Sequence, residues 1–432
     1  MKKEIKIGLL GFGTVGSGVA RVLKENAHEI TEKIGAQLQI KTVLVRDTHK
    51  KREYLEDIHL TDKIEEILQD EDIEIVIELM GGIHPAREYM LQAMAAGKNV
   101  VTANKDVLAE FGRDLFTMAE EHDVDFMFEA SVGGGIPIIM PLKQCLTGNK
   151  ISEVMGIVNG TTNYMLTRMT QDGSDYDTAL QEAQEKGYAE ANPAADVEGL
   201  DAARKAAILA SIAFNTRIGL ENVSAEGITK ITPADIEYAT ELGYVVKLLA
   251  IARETSHGVN VRVHPAFLPK EHPLAAVNDV FNAIFVRGNA IGEAMFYGRG
   301  AGSLPTASAV VADVVDTARD IMHGTFGRIR CTCYEQKPFC PLDETESSYY
   351  VRLLVDDEPG VLGAIATAFG ENGVSLKSVI QTRRVDNRAE IVAITHQVPH
   401  KRIKQAAAAL EGLPVVTRIR NIIRVENGQG EA

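Results

Sequence analysis

The period of the hydrophobic positions changes several times along the chain. Ile5 to Leu10 is a short apolar run suited to a buried strand, and Val19, Val22 and Leu23 then follow at helical spacing. Further strands are expected at Gln39 to Arg46, Ile73 to Leu79, Asn99 to Thr102 and Asp125 to Glu129. Helices fall between them: a short one capped by Thr61, with Glu65 and Glu66 in its first turns, and a longer one over His84 to Ala96. Strands alternating with helices predict a parallel sheet covered on both faces. From Ile138 to Pro305 that repeat stops. A strand at Ile151 to Val158, helices at Tyr164 to Met169, Val197 to Phe214 and Pro233 to Leu242, and strands at Tyr244 to Arg253, Val259 to Leu268 and Phe281 to Val286 predict a separate α+β region whose sheet serves dimerisation. An apolar helix, Ala307 to Met322, returns to the first sheet. After a linker the order becomes strand to Val355, helix Pro359 to Asn372, strands Val374 to Val385 and Ala389 to Thr395, helix Pro399 to Leu410 and strand Val415 to Val425. This βαββαβ order is ferredoxin-like.

The expected organisation is therefore α/β: a dinucleotide-binding domain over 1–137 plus 305–330, a substrate and dimerisation domain over 138–304, a linker over 331–348 and a regulatory domain over 349–426. A chain of 432 residues exceeds what one core serves, which agrees with several domains. The net charge of −15 argues against nucleic acid and anionic membrane as partners. The apolar run at the N-terminus is cut by Gly11, Gly13 and Gly16 too early for a secretion signal. No stretch reaches the roughly 20 apolar residues of a membrane span. Four cysteines suit a reducing cytoplasm, and Cys331, Cys333 and Cys340 match no standard zinc set.

Gly11-Phe12-Gly13-Thr14-Val15-Gly16 follows the first strand and opens a helix, the context in which G-x-G-x-x-G signals a dinucleotide. Gly11 permits the turn, Gly13 the approach of a pyrophosphate and Gly16 helix packing. Arg46 ends the second strand before Asp47, Lys50, Lys51 and Arg52. This cluster either meets a 2′-phosphate, favouring NADP with NAD also usable, or is a solvated face. Thr102-Ala103-Asn104-Lys105 lies at a carboxyl strand end, where ligands bind. After Glu129, Ser131-Val132-Gly133-Gly134-Gly135-Ile136 is either a hinge or a ring of carbonyls for a hard cation. Asn159-Gly160-Thr161-Thr162-Asn163 is either a helix cap or a carboxylate cradle. Gly298-Arg299-Gly300-Ala301-Gly302-Ser303 either approaches the dinucleotide or crosses between domains. The stretch from Gly187 to Lys205 gathers Tyr188, Glu190, Asp196, Asp201 and Lys205, with Asp201 and Lys205 four apart on one helix face.

Together GFGTVG, TANK, FEASVGGGIP, NGTTNY, GYAEANPAADVEGLDAARK and GRGAGSLPT, in this order, closely resemble homoserine dehydrogenases from Ile5 to about Met322. The resemblance implies a Rossmann-type cofactor domain and reversible reduction of aspartate 4-semialdehyde to homoserine by NADPH or NADH, in threonine, methionine and isoleucine biosynthesis. It implies Lys205 as proton donor with Lys105 as its partner, and Glu190, Asp201, Asp196, Tyr188, Gly160 and Thr161 as the substrate pocket. It also implies cofactor contacts from Gly187 and Gly302, beside those read from the fingerprint, Arg46, Thr102, Ala103 and Lys105. A monovalent cation, expected to be sodium, would sit on Glu129 and the carbonyls of Val132, Gly134 and Ile136. A homodimer or homotetramer is expected. Asp356-Asp357-Glu358-Pro359-Gly360-Val361 resembles the ligand turn of ACT domains, which implies an amino-acid effector, expected to be threonine, at Asp357, Pro359, Gly360 and Asn372. Two other readings stand beside this one. A phosphorylating semialdehyde dehydrogenase needs a nucleophilic cysteine, and Cys145 has no base beside it in sequence; a non-catalytic sensor needs a broken Lys/Asp/Glu set, and the set is intact.

Overall fold

The computed structural model describes residues 4–55, 58–385 and 388–426. The chain divides into two compact units: Met1–Val154, Arg204–Glu221 and Phe281–Gln336 form one, and Met155–Ala203, Asn222–Val280 and Lys337–Ala432 the other.

In the first unit six parallel strands, β1 (Glu4–Leu10), β2 (Gln37–Leu44), β3 (His59–Thr61), β4 (Ile73–Glu78), β5 (Asn99–Thr102) and β6 (Phe126–Met127), lie in the order β3-β2-β1-β4-β5-β6. Strand order reverses between β1 and β4, so the connections leaving these two strands diverge and open a crevice at their carboxyl ends. The core is branched aliphatic: Ile5, Ile7, Leu9, Ile75 and Ile77 from the sheet pack with Val19 and Leu23 from helix Thr14–Glu25. Helix Ser303–His323 adds Ala307, Val310, Val311, Val314 and Ala318, a stripe at helical spacing. Burying each Val or Ile here contributes about 1.5–3 kcal/mol.

Local structure departs from expectation at several points. Thr61 is the last residue of β3 and does not cap the next helix; its hydroxyl instead accepts from the Lys63 N–H at 3.0 Å. The strand expected over Asp125 to Glu129 shrinks to two residues, because the Glu129 N–H is taken by Asp313 at 2.8 Å and the chain turns into a 3-10 segment, Glu129–Ser131. A strand absent from the hydrophobic reading, Gly292–Arg299, pairs antiparallel with Phe281–Gly288, and its residues alternate between exposed and half-buried from Ala294 on.

In the second unit strands Tyr244–Thr255 and Gly258–Pro269 form a long antiparallel pair. The ferredoxin-like segment has the expected order, with Glu346–Val355 between Val416–Val425 and Arg388–Thr395, and Leu376–Val385 outside. Its core collects Tyr349, Val351, Leu353, Ile365, Phe369, Ile391, Ile403 and Leu410. Val416–Val425 also pairs parallel with Gly258–Pro269 through Ala266 with Arg424 and Phe267 with Val425. The segment is thereby joined to the middle sheet by backbone hydrogen bonds. Its first helix begins at Val361 behind Gly360, which holds φ +93°, so Pro359 lies before the helix and not at its first position.

Candidate active site

The cofactor end of the first unit follows from three glycines. Gly11 has φ +93°, and a Cβ there would stand 2.8 Å from the Leu79 carbonyl oxygen; a Cβ on Gly16 would stand 2.5 Å from that of Gly11. The turn therefore closes only without side chains. Gly13 is the N-cap of helix Thr14–Glu25, and nothing lies within 4 Å of the place its Cβ would take. That open space beside free helical N–H groups suits a phosphate. The groove here is lined by Phe12, Gly13, Thr14, Arg52, Ser303 and Leu304, with a volume of about 680 Å³. Ser303, directly after Gly302 at the start of the returning helix, donates its hydroxyl to the Thr14 carbonyl at 2.6 Å. The second glycine cluster therefore lies against the fingerprint.

Arg46 is exposed just beyond β2, and Asp47 next to it is committed to its own turn, accepting from the His49 N–H at 2.9 Å and the Lys50 N–H at 3.2 Å. Those backbone donors hold the Asp47 carboxyl below its ordinary range. Two arginines line the groove, Arg21 and Arg52. The basic run from Lys50 signalled Arg52; nothing signalled Arg21.

At the end of β5, Thr102 donates to Glu78 at 2.7 Å and accepts from the Asn104 N–H at 3.0 Å. Burial raises the Glu78 carboxyl, opposed by the Thr102 hydroxyl and the Met80 N–H. Asn104 accepts from the Val107 N–H and donates to Gly82, which caps helix Lys105–Glu121 and fixes Lys105 as its first residue beside Ala103. Lys205 is half-buried on helix Leu200–Ala213. The residues next to the two lysines, Arg204 and Asp106, form an ion pair at 3.0 Å. Helix Lys105–Glu121 and helix Leu200–Ala213 are thus tied together at the residues adjoining their lysines, a link no sequence pattern indicated.

In the second unit the organiser is Asn159. Its side chain accepts from the Thr162 N–H at 2.9 Å and so caps helix Gly160–Asp172, while its amide donates to Asp196 at 2.7 Å and Asp201 at 2.9 Å. Two carboxylates 42 and 37 positions away in sequence are held by one amide. Asp201 is buried. The helix expected without interruption from Val197 is broken: Ala194–Val197 ends, Gly199 takes φ +82°, and Leu200–Ala213 starts afresh. Thr161 donates to the Tyr188 carbonyl at 2.7 Å, and the Tyr188 ring meets Tyr164 edge-on at 5.0 Å. Tyr188 and Glu190 are exposed, and Gly187 holds φ +73° at the turn before them.

Glu129 is 3% exposed, and its oxygens accept from the N–H groups of Ile138, Ile139 and Met140 at 2.5, 2.8 and 2.7 Å. Burial raises its pKa against those three donors, and burial raises Asp313 well above its ordinary range, reinforced by Glu129. Gly133 and Gly134 have consecutive positive φ values of +74° and +57° and curl the loop through buried Val132 and Ile136. Such a loop presents carbonyl oxygens, and the carboxylate keeps lone pairs beyond its N–H partners, so the donor set fits a hard cation. Among the described residues no three His, Cys, Asp or Glu side chains gather as a metal cluster. Asp357 pairs with Arg384 and accepts from Gln381 at 3.4 Å, Gly360 is the N-cap of helix Val361–Glu371 and Asn372 its C-cap.

Comparison with known proteins agrees with this geometry. The model described as homoserine dehydrogenase, NAD binding domain, matches residues 11–129, that of homoserine dehydrogenase residues 137–315, and that of the ACT domain residues 349–415. A homoserine dehydrogenase from Synechocystis is 46% identical over 431 residues, covering 98% of this chain and 99% of the relative. The chain belongs to the homoserine dehydrogenase family. A Bacillus subtilis homoserine dehydrogenase is 42% identical, with coverages of 98% and 99%. The crystal structure of a homoserine dehydrogenase from Thiobacillus denitrificans superposes with a TM-score of 0.94 at 40% identity, covering 99% of both chains. A hyperthermophilic archaeal homoserine dehydrogenase in complex with NADPH gives 0.63 at 27% identity, covering 73% of this chain and 97% of that one. The chain is thus an NAD(P)-dependent oxidoreductase of amino-acid biosynthesis with a C-terminal ACT domain. Among the described residues no helix is long and apolar enough to cross a membrane.

Proposed function

We propose that the chain interconverts L-aspartate 4-semialdehyde and L-homoserine with NADPH, NADH also serving, on the route to threonine, methionine and isoleucine. When bound, the nicotinamide exchanges a hydride with the carbon that is aldehyde in one compound and alcohol in the other. Lys205 gives a proton to the carbonyl oxygen as negative charge builds there, and returns as the acceptor in the oxidative direction. Lys105 holds the same oxygen. The carboxylates of Asp201 and Glu190 hold the ammonium and hydroxyl ends, with Asp196, Tyr188, Gly160 and Thr161 shaping the pocket. The observation that carries this reading is helix Leu200–Ala213, where Asp201 and Lys205 project one turn apart and the adjoining Arg204 is paired to Asp106 beside Lys105.

Cofactor contacts fall to Gly11 through Gly16, Thr102, Ala103, Gly187 and Gly302. Arg46, with Arg21 and Arg52 in the groove, supports a 2′-phosphate. Glu129 and the carbonyls of Val132, Gly134 and Ile136 would hold a sodium ion, whose charge would fix the glycine loop. The working form is a homodimer or homotetramer, and the four unpaired thiols suit the reducing cytoplasm. Threonine acts at the ACT turn through Asp357, Pro359, Gly360 and Asn372.

Oxidation of homoserine followed as NADPH formation tests the chemistry. Lys205→Ala should lower kcat by roughly 10²–10⁴-fold with NADPH affinity near wild type; unchanged turnover removes Lys205 from its role. For regulation the full chain is needed, since deleting the C-terminal segment would strip Glu426 from Arg253 and Arg262, which it meets at 2.9 and 3.1 Å. Asp357→Ala should abolish inhibition by threonine without changing uninhibited turnover. Retained inhibition would discard the assignment.

A further inference from the structure

Two cysteines that the reaction does not use sit one residue apart behind the helix that carries Lys205. The Cys331 sulfur accepts from the Arg217 guanidinium at 3.6 Å, whereas Cys333 donates its S–H to the Ser211 carbonyl at 3.7 Å. One sulfur thus acts as an acceptor beside a cation, the other as a donor. Cys331 also lines a cavity of about 30 Å³ with Phe116, Asp125, Phe126 and Ile329. That is room for one molecule the size of water or hydrogen peroxide. Asp125, 4% exposed, accepts from the Gly327 N–H at 2.9 Å with one oxygen; the other is buried with no partner among the described residues. Asp125 and Cys331 thus line the same small cavity.

We propose that Cys331 and Cys333 form a peroxide-sensitive pair that governs the Lys205 helix. The Cys331 thiolate attacks one oxygen of hydrogen peroxide, the O–O bond breaks, and the departing oxygen takes a proton and leaves as water. Cys333 then attacks the resulting sulfenic acid, forming the S–S bond and releasing a second water, so two thiols are oxidised as one peroxide is reduced. The electrostatics agree: the nearby Cys333 side chain and N–H, followed by Arg217 and Lys143, draw the Cys331 thiol down against its own burial, and the Cys333 thiol rises in turn. Disulfide formation takes the S–H away from the Ser211 carbonyl. Ser211 lies in Leu200–Ala213, bonds the Ala207 carbonyl at 2.7 Å and receives the Ile218 N–H at 3.0 Å, so the loss acts on the helix that presents Lys205.

The full-length enzyme is treated with a small excess of hydrogen peroxide, and peptide masses and homoserine oxidation are read together. Expected are loss of two hydrogens from the peptide holding Cys331 and Cys333, and a fall in kcat on the order of tenfold, both reversed by dithiothreitol. Cys333→Ser should stop at the sulfenic acid, which a cyclic 1,3-diketone captures on Cys331, and Cys331→Ser should show neither change. Oxidation confined to exposed Cys145, over-oxidation of Cys331 without a cross-link, or a cross-link that leaves kcat unchanged would each overturn the proposal.

Discussion

Asn159 shows how much a single side chain can decide. Its amide satisfies a helix N-terminus and holds two acids together in one bonding set, and a buried acid such as Asp201 requires partners of this kind. Sequence reading selected the acids and passed over the amide, because an Asn before Gly160 carries the ordinary signal of a cap. Arg52 is the corresponding case at the cofactor. It lines the groove, and its guanidinium also donates to the Lys50 carbonyl at 2.8 Å, which orients it. A hydrogen bond to a charged group contributes about 1.5–3 kcal/mol, so Arg52→Ala should raise KM for NADPH roughly tenfold or more and leave KM for NADH within about twofold. Equal changes for the two cofactors would remove Arg52 from the 2′-phosphate.

At the scale of elements, the break between Ala194–Val197 and Leu200–Ala213 decides which acids Asn159 can hold. Gly199 accepts φ +82°, and a Cβ there would meet Val263 at 3.2 Å and the Glu226 carbonyl oxygen at 3.3 Å. A continuous helix would carry Asp196 and Asp201 to different faces. With the break, both reach Asn159. Gly199→Ala imposes a left-handed conformation on an L residue, at about 1–2 kcal/mol, before the contacts are counted. Urea unfolding should show at least that loss, together with a raised KM for homoserine and little change in KM for NADPH; wild-type stability would show that the turn tolerates a side chain. The helix was legible in its apolar spacing. Its interruption was not, because glycine at the third position of Val-Glu-Gly is compatible with either course.

At the scale of the molecule, the ACT segment is joined to the middle sheet by strand pairing and by buried charge. Arg352 meets Asp235 at 3.0 Å and Glu390 at 2.9 Å, Tyr350 donates to Asp235 at 3.1 Å, and Tyr238 donates to Glu390 at 3.0 Å. Glu426 is likewise enclosed; burial would raise its carboxyl, but Arg253 and Arg262 outweigh burial and hold it well below its ordinary range. Removing one member of such a set leaves buried charges without partners, which costs about 3–5 kcal/mol. Arg352→Ala should therefore lower unfolding free energy by that amount, read by urea titration, whereas an effect within about 1 kcal/mol would mean that the seam relaxes or takes up water. Asp235 and Tyr238 both come from helix Pro233–Glu241, so one helix of the middle region supplies partners to both Arg352 and Glu390.

What the sequence determined by itself was local: the alternation of strands and helices, the glycines that only a phosphate-binding turn explains, the βαββαβ order near the C-terminus and the order of six motifs that places the chain in its family. These depend on neighbours a few positions apart, where spacing and side-chain shape carry the information. Tertiary structure alone decided what Asn159 joins, which arginines face the cofactor groove, that Arg204 meets Asp106, and that the last strand enters the middle sheet. Each of these pairs residues far apart along the chain, and their partners are chosen by burial: a carboxylate, amide or guanidinium shut away from water must find a counterpart in whatever element the fold brings beside it.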